Sequence, residues 1–379
     1  MTMNILKKTL AFLILDLCVL FILEANFSDP EKNSKQQQIS KTIVTQEDKI
    51  DSIIITAIKK DHLPSLSITI SKDDKTVFQK AYGFSDFENY VPASIQSVYR
   101  VGSVSKTMTA VIIMRLFEGG LLNLDDPIQK YCPHFPEKKA PITIKQLLSH
   151  QSGIRNYSNE HFMDEYYSIT RYPTSCDATS VFKNDTLMAV PGSRYLYTSY
   201  GYVLLGCLIE DITGLTYEEA LQKFVMDPAG MRQTTLDYPE NLIPFRVKPY
   251  EKNNDGSLKN AQPVDLSNKF PAGGILSTSV DMVRFGNALL KNKLLQKTTL
   301  DLMWTEQLTN SGKPTGYGLG WNTPVDRNEI FHGGASAGAT AYIYILKKEK
   351  IVISFLTNTE NWGDPRLKLA QDIANVISR

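Results

Sequence analysis

The spacing of apolar residues changes period twice along this chain of 379 residues, and that order constrains the fold more than any single residue does. A helix with Ile50, Ile53, Ile54 and Ala57 on one face comes first. Leu66 to Ser71 then alternates, Asp73-Asp74 turns and Thr76 to Tyr82 returns, the period-two signature of paired strands. From Ser103 to about Lys291 the spacing is mainly helical, with loops at Asp125-Asp126-Pro127, at Pro191-Gly192 and from Tyr238 to Pro271. Strand spacing resumes at Gly316 to Trp321, Ile330 to His332, Thr340 to Leu346 and Ile351 to Thr357, with Lys348-Glu349-Lys350 turning between the last two. Asp364 to Ile377 closes the chain as a helix. This order predicts an α/β (α+β) domain over 46–379, with an antiparallel sheet built from both chain ends and flanked by helices. Residues 46–100 and 310–379 would form the α/β lobe, and 101–309 an inserted, mainly helical lobe. A pocket is expected at the seam.

Ser103-Val104-Ser105-Lys106 stands where the strands give way to helix. A serine and a lysine three apart on a helix share a face, about one turn apart. A lysine held there can take the serine proton if burial and neighbouring charge lower its pKa. The helix N-terminus offers N–H groups to the oxyanion that forms when serine attacks a carbonyl. A second copy, Ser180-Val181-Phe182-Lys183, is separated from the first by context. Met108, Val111, Ile112, Met114, Leu116 and Phe117 follow Lys106 at helical spacing up to Gly119-Gly120, whereas Ser180 lies among loop residues. Alone, Ser103 reads by default as a helix N-cap, so the nucleophile reading depends on further motifs.

Two further motifs fit acyl transfer. Pro191-Gly192 precedes Tyr197-Thr198-Ser199 and an apolar helix with Val203, Leu204, Leu205 and Leu208. A tyrosine hydroxyl beside a lysine ammonium ionises more readily and can shuttle a proton to the leaving group. Tyr157-Ser158-Asn159 competes for this role but lacks both the Pro-Gly and the following helix, and ranks second. At the end of a predicted strand, His332-Gly333-Gly334-Ala335 combines a hydrogen-bonding side chain with two glycines that allow close approach. His332 would read a substrate carboxylate or carbonyl, and the Ala335 N–H would complete an oxyanion hole with that of Ser103. Gly334-Ala335-Ser336-Ala337-Gly338 matches the nucleophile elbow of α/β-hydrolases, but a strand rather than a helix follows it.

A formal net charge of +1 suggests neither nucleic acid nor an anionic membrane surface as partner. Lys7 and Lys8 ahead of the apolar run Thr9 to Leu23 have the layout of a secretory signal over 1–25, followed by a polar linker over 26–45. Export to the periplasm or cell envelope is expected, with an uncleaved N-terminal membrane anchor as the alternative. Of the four cysteines, Cys18 lies in the leader and Cys207 in an apolar helical run where a buried thiol is usual. Cys132 and Cys176 are the candidates for a disulfide in an oxidising compartment. The spacing of cysteines and histidines suggests no metal site, and no cofactor is expected.

The order Ser103-x-x-Lys106, Tyr197-x-Ser199, His332-Gly333-Gly334 resembles the serine β-lactamase-like and penicillin-binding family, which includes class C β-lactamases, DD-peptidases and related esterases. Leu147-Leu148-Ser149-His150-Gln151-Ser152-Gly153 and Pro271-Ala272-Gly273-Gly274 strengthen the likeness. Tyr131-Cys132-Pro133-His134 and Gly316-Tyr317-Gly318-Leu319-Gly320-Trp321 look most like the branch containing the animal mitochondrial β-lactamase-like serine protease. The resemblance covers Ile50 to the C-terminus. It implies a β-lactamase/transpeptidase-like fold and an acyl-enzyme at Ser103, with Lys106 as base and Tyr197 as shuttle. Ser199, His332, Gly333, Gly334 and Ala335 would serve substrate and oxyanion. Ser199 stands where the family usually has Asn, and His332 where most true β-lactamases have Lys; both weaken recognition of a β-lactam carboxylate. The expected substrate is a small molecule or peptide carrying a peptide, amide or ester bond, a cell-wall peptide among them. A true β-lactamase and a penicillin-binding protein without turnover are the alternatives.

Overall fold

The computed structural model describes residues 44–324, 328–360, 362–363 and 365–378. The expected leader and nearly all of the linker lie outside these residues. Helix α1 (Gln46–Lys60) buries Ile50 and Ile54, and strands β1 (Ser65–Lys72), β2 (Lys75–Asp86), β3 (Val91–Pro92) and β4 (Tyr99–Arg100) follow. The middle of the chain carries helices α2 (Ser105–Glu118) and α3 (Ser199–Thr213) and several shorter ones. Short strands β5 (Thr235–Leu236), β6 (Tyr250–Lys252), β7 (Leu258–Asn260) and β8 (Ile275–Ser277) precede helix α4 (Ser279–Leu290). Strands β9 (Glu329–Ser336), β10 (Ala339–Leu346) and β11 (Ile351–Thr357) then lead to helix α5 (Pro365–Ser378).

The main sheet has six strands in the order β3-β2-β1-β11-β10-β9, all neighbours antiparallel, with Ile68 opposite Phe355 and His332 opposite Ile343. The two chain ends therefore meet at the β1–β11 pairing. Alternation in β1 explains how both sheet faces are covered. Leu66, Ile68 and Ile70 join Ile353, Phe355, Ile50, Ile54, Ile373 and Ile377 in a core under α1 and α5. The intervening hydroxyls face α4: Ser67 and Thr69 bond the Ser279 hydroxyl at 3.0 and 2.9 Å, and Ser71 donates to Asn287 Oδ1 at 3.0 Å. A second, larger core unites the helices with Ile343, Ile345, Val352 and Leu356 from that face. A Cβ on Gly286 would come within 2.5 Å of Val352, so glycine sets the approach of α4 to the sheet.

Two sequence expectations fail locally. Gly316 to Trp321 is irregular, making only isolated bridges through Tyr317 and Asn322. Gly316 and Gly320 have φ of 70° and 90°, which a strand cannot hold. The stretch from Tyr238 to Pro271 is not all loop, since β6 and β7 pair within it. Among the described residues no helix is long and apolar enough to cross a membrane.

Candidate active site

Ser103 lies on the 3-10 turn Gly102–Val104 that leads into α2. Helix α2 is buried on nearly every side, so Lys106 in its first turn is buried by the helix as a whole. Lys106 Nζ lies 3.1 Å from Ser103 Oγ, 3.2 Å from Ser199 Oγ and 2.7 Å from the Ala272 carbonyl. None of these partners is a carboxylate. Burial holds the Lys106 pKa well below the usual lysine value, and the charge of Lys269 pushes it the same way. A neutral amine has two N–H donors and one lone pair. Donation to Ala272 O and Ser199 Oγ leaves the lone pair for the Ser103 hydroxyl.

Ser199 is the first residue of α3, whose N-cap Thr198 accepts from the Gly201 N–H. Tyr197 sits just ahead of the cap, with its hydroxyl hydrogen-bonded to Ser103 and its ring centroid 5.0 Å from Lys106 Nζ. Burial raises the Tyr197 pKa, and the bond to Ser103 only partly opposes that. This corrects the expectation of an easily ionised tyrosine: burial of the phenol outweighs what its neighbours contribute.

The approach of β9 to the Gly102–Val104 turn depends on two glycines. Gly102 has φ +51°, and a Cβ there would stand 2.7 Å from Ala335 N. A Cβ on Gly334 would stand 2.0 Å from Val101 O and 3.0 Å from Ser103 N. The Ser103 and Ala335 amides are thereby brought to one place on the edge strand of the sheet, with Ala335 exposed and Ser103 half-buried. Gly333 lies beside Arg366, whose Nη1 is 3.4 Å from the Gly334 carbonyl.

His332 is turned inward, contrary to its expected role as a substrate reader. It is 2% exposed, its Nε2 lies 2.9 Å from the Tyr317 hydroxyl, and its Nδ1 lies 2.7 Å from the Gly333 carbonyl. Nδ1–H donating to Gly333 O and Nε2 accepting from Tyr317 uses both ring nitrogens. Burial, with the Lys106 charge second, lowers its pKa to about 3, so the ring is neutral around pH 7. The alternative nucleophiles stand apart. Ser180 is exposed and donates to Asp177 O, and Ser336 is buried at the end of β9, with a turn and β10 following.

Several groups at the site were missed or ranked too low from sequence. Tyr157 of the rejected motif hydrogen-bonds Ser199 and has its pKa raised by burial to about 12. Asn156 Oδ1 accepts the Ser199 N–H at 2.9 Å, whereas Asn159 is exposed. Lys269 is buried, stands 4.9 Å from the Tyr157 ring and donates to the Tyr166 carbonyl at 2.5 Å. Burial, then the charge of Arg100, lowers its pKa to about 7. The Pro271-Ala272-Gly273-Gly274 run was the only signal for the Ala272 carbonyl. A Cβ on Gly206 of α3 would meet Pro271 at 2.2 Å, so that glycine admits the turn carrying Ala272.

The cysteines also pair differently from expectation. Cys176 is bonded to Cys207, with Cα atoms 4.4 Å apart, and Cys132 is a free, buried thiol. Cys176 lies in the short helix Ser175–Ala178 that packs on α3, which places it against Cys207 rather than Cys132.

A serine and a buried lysine at the head of a central helix, with a glycine-rich edge strand across from them, define a β-lactamase-type serine-hydrolase fold. The sequence profile of the β-lactamase family matches residues 50–377, and the chain belongs to that family. It is 28% identical, over an alignment 407 positions long, to the human (Homo sapiens) mitochondrial serine β-lactamase-like protein LACTB, covering 79% of this chain and 74% of that one. An octameric penicillin-binding protein homologue from Pyrococcus abyssi superposes with a TM-score of 0.73 at 27% identity, covering 87% of this chain and 76% of that one. The D-amino acid amidase from Ochrobactrum anthropi SV3, complexed with D-phenylalanine, shares the fold with a TM-score of 0.76 at 20% identity, covering 88% and 99%.

Proposed function

We propose that this chain is a serine hydrolase that passes through an acyl-enzyme at Ser103. The observation that carries the reading is the buried Lys106 amine, 3.1 Å from Ser103 Oγ with no carboxylate among its partners. Lys106 takes the Ser103 proton as Oγ bonds to the substrate carbonyl carbon, and the carbonyl oxygen becomes an oxyanion held by the Ser103 and Ala335 N–H groups. As the scissile bond breaks, the neutral Tyr197 hydroxyl hands a proton to the leaving group and is reprotonated from Lys106. Water then cleaves the ester at Ser103.

Peptides, amides and esters fit this chemistry, cell-wall peptides among them. Where the acyl donor carries a carboxylate, Arg366 beside Gly333 and Gly334 is the fixed cation that His332 does not supply. Export is part of the proposal and is supported by the Lys7-Lys8 and Thr9 to Leu23 layout. The test is turnover of D-amino acid amides, short-chain esters and a fluorescent penicillin by wild type and Arg366→Gln. Arg366→Gln should raise KM for carboxylate-bearing substrates and leave neutral esters unchanged. Stoichiometric labelling by penicillin without turnover of any substrate would favour the binding-protein reading instead.

A further inference from the structure

About two turns beyond the Ser199 end of α3, away from the nucleophile, four side chains converge that acyl transfer does not use. Cys132 and His134 come from one loop, and Cys207 and Asp211 from successive turns of α3; their donor atoms all lie within 4.8 Å of one another. His134 Nε2 is 3.4 Å from Cys132 Sγ and 3.1 Å from Cys207 Sγ. Cys132 Sγ is 3.2 Å from Cys207 Sγ, and Asp211 Oδ2 is 3.8 Å from Cys207 Sγ and 3.6 Å from His134 Nε2. A tetrahedral zinc ion with bonds of about 2.0–2.3 Å sets its ligand atoms roughly 3.3–3.8 Å apart. Five edges of the cluster, from 3.1 to 3.8 Å, fall close to that range, and the sixth, between Cys132 and Asp211, is no longer than 4.8 Å.

The surroundings suit a cation. The Asp211 carboxylate lies 3.8 Å from Cys207 Sγ and 3.6 Å from His134 Nε2, so the cluster joins an anionic oxygen to soft sulfur and imidazole donors. Cys132 and Cys207 are buried while His134 and Asp211 are exposed, so the cluster has a closed floor and an open entrance. The Cys176–Cys207 disulfide occupies one of its sulfurs.

We infer that Cys132, His134, Cys207 and Asp211 form a binding site for zinc or a similar thiophilic divalent cation, opened when the Cys176–Cys207 disulfide is reduced. Reduction by a dithiol delivers two electrons and two protons to the two sulfurs and leaves the reductant as its own disulfide. Cys132 and Cys207 then each release a proton to solvent as the ion binds. Disulfide and metal exclude each other, because both need the Cys207 sulfur. The sequence concealed the site because its two halves lie 73 residues apart, and neither Cys-x-His nor Cys-x-x-x-Asp is diagnostic alone.

Cobalt(II) titration of the untagged chain, followed by thiolate charge-transfer and tetrahedral visible absorption, tests this without reference to hydrolysis. Dithiol-reduced wild type should bind one equivalent and the oxidised chain none. Cys176→Ala, reduced and then freed of dithiol under nitrogen, should bind cobalt, because Cys176 can no longer lock Cys207 away. His134→Ala changes an exposed side chain and should weaken binding by more than roughly tenfold, since even outer-shell partners are worth 10–100-fold. No absorption in reduced wild type, or unchanged affinity in His134→Ala, would overturn the site. Loss of binding in Cys176→Ala while reduced wild type binds would overturn the ligand set.

Discussion

The chemistry of Lys106 follows from where its helix lies. An amine in water keeps its proton to about pH 10.4, but here burial and the charge of Lys269 favour the neutral base. The folded pKa lies below the unfolded one, so between the two values the unfolded chain binds more protons and this group's contribution to stability grows with pH. The neutral fraction likewise grows with pH. We therefore expect kcat/KM for an uncharged ester to rise through the Lys106 pKa and to fall as pH drops below it. Lys106→Met, similar in length, should retain the fold and lower the acylation rate by roughly 10²–10⁴-fold, the worth of a positioned base. Tyr197→Phe should reduce turnover on the same scale, because it removes the hydroxyl that touches Ser103. Tyr157→Phe, one step further away through Ser199, should be milder; steady-state kinetics of the pair decides the ranking. Ser103, Lys106 and Tyr197 were legible because each opens or precedes a strongly apolar helix. The direction in which His332 points was not, because strand pairing rather than composition decides it.

At the scale of elements, the proposed acyl transfer depends on how closely β9 approaches the turn before α2. Gly334→Ala would place a methyl 2.0 Å from Val101 O and 3.0 Å from Ser103 N, both backbone atoms with little room to yield. We expect this variant to lose acylation together with thermal stability, as read by penicillin labelling and by Tm. Strands β10 and β11 were legible because they are largely apolar between turn signals, and β11 has the bounds that the sequence predicts. Gly316 to Trp321 misled because alternation with glycine resembles a strand, although left-handed φ values at Gly316 and Gly320 preclude one. Gly320 is needed under α2 instead, where a Cβ would meet Ala110 at 2.5 Å.

For the whole molecule, one sheet joins two cores, and the joint to the helical layer is partly polar. The Ser279 hydroxyl serves both Ser67 and Thr69, so Ser279→Ala leaves buried hydroxyls short of a partner. Urea denaturation should show a loss of about 1–3 kcal/mol with an unchanged m-value. The meeting of the two chain ends in the sheet was legible from the order of periodicities. The contacts that lace the sheet to α4 were not, since an alternating serine reads as solvent-facing until a helix is seen to cover it. All of this packing holds one hydroxyl beside one buried amine, and the most direct test is to find where an acyl group lands. Intact-mass analysis and peptide mapping after reaction with a penicillin or a fluorophosphonate should show one adduct on Ser103, absent in Ser103→Ala and retained in Ser180→Ala and Ser336→Ala. An adduct that persists in Ser103→Ala, or one mapped to Ser336, would contradict the assignment.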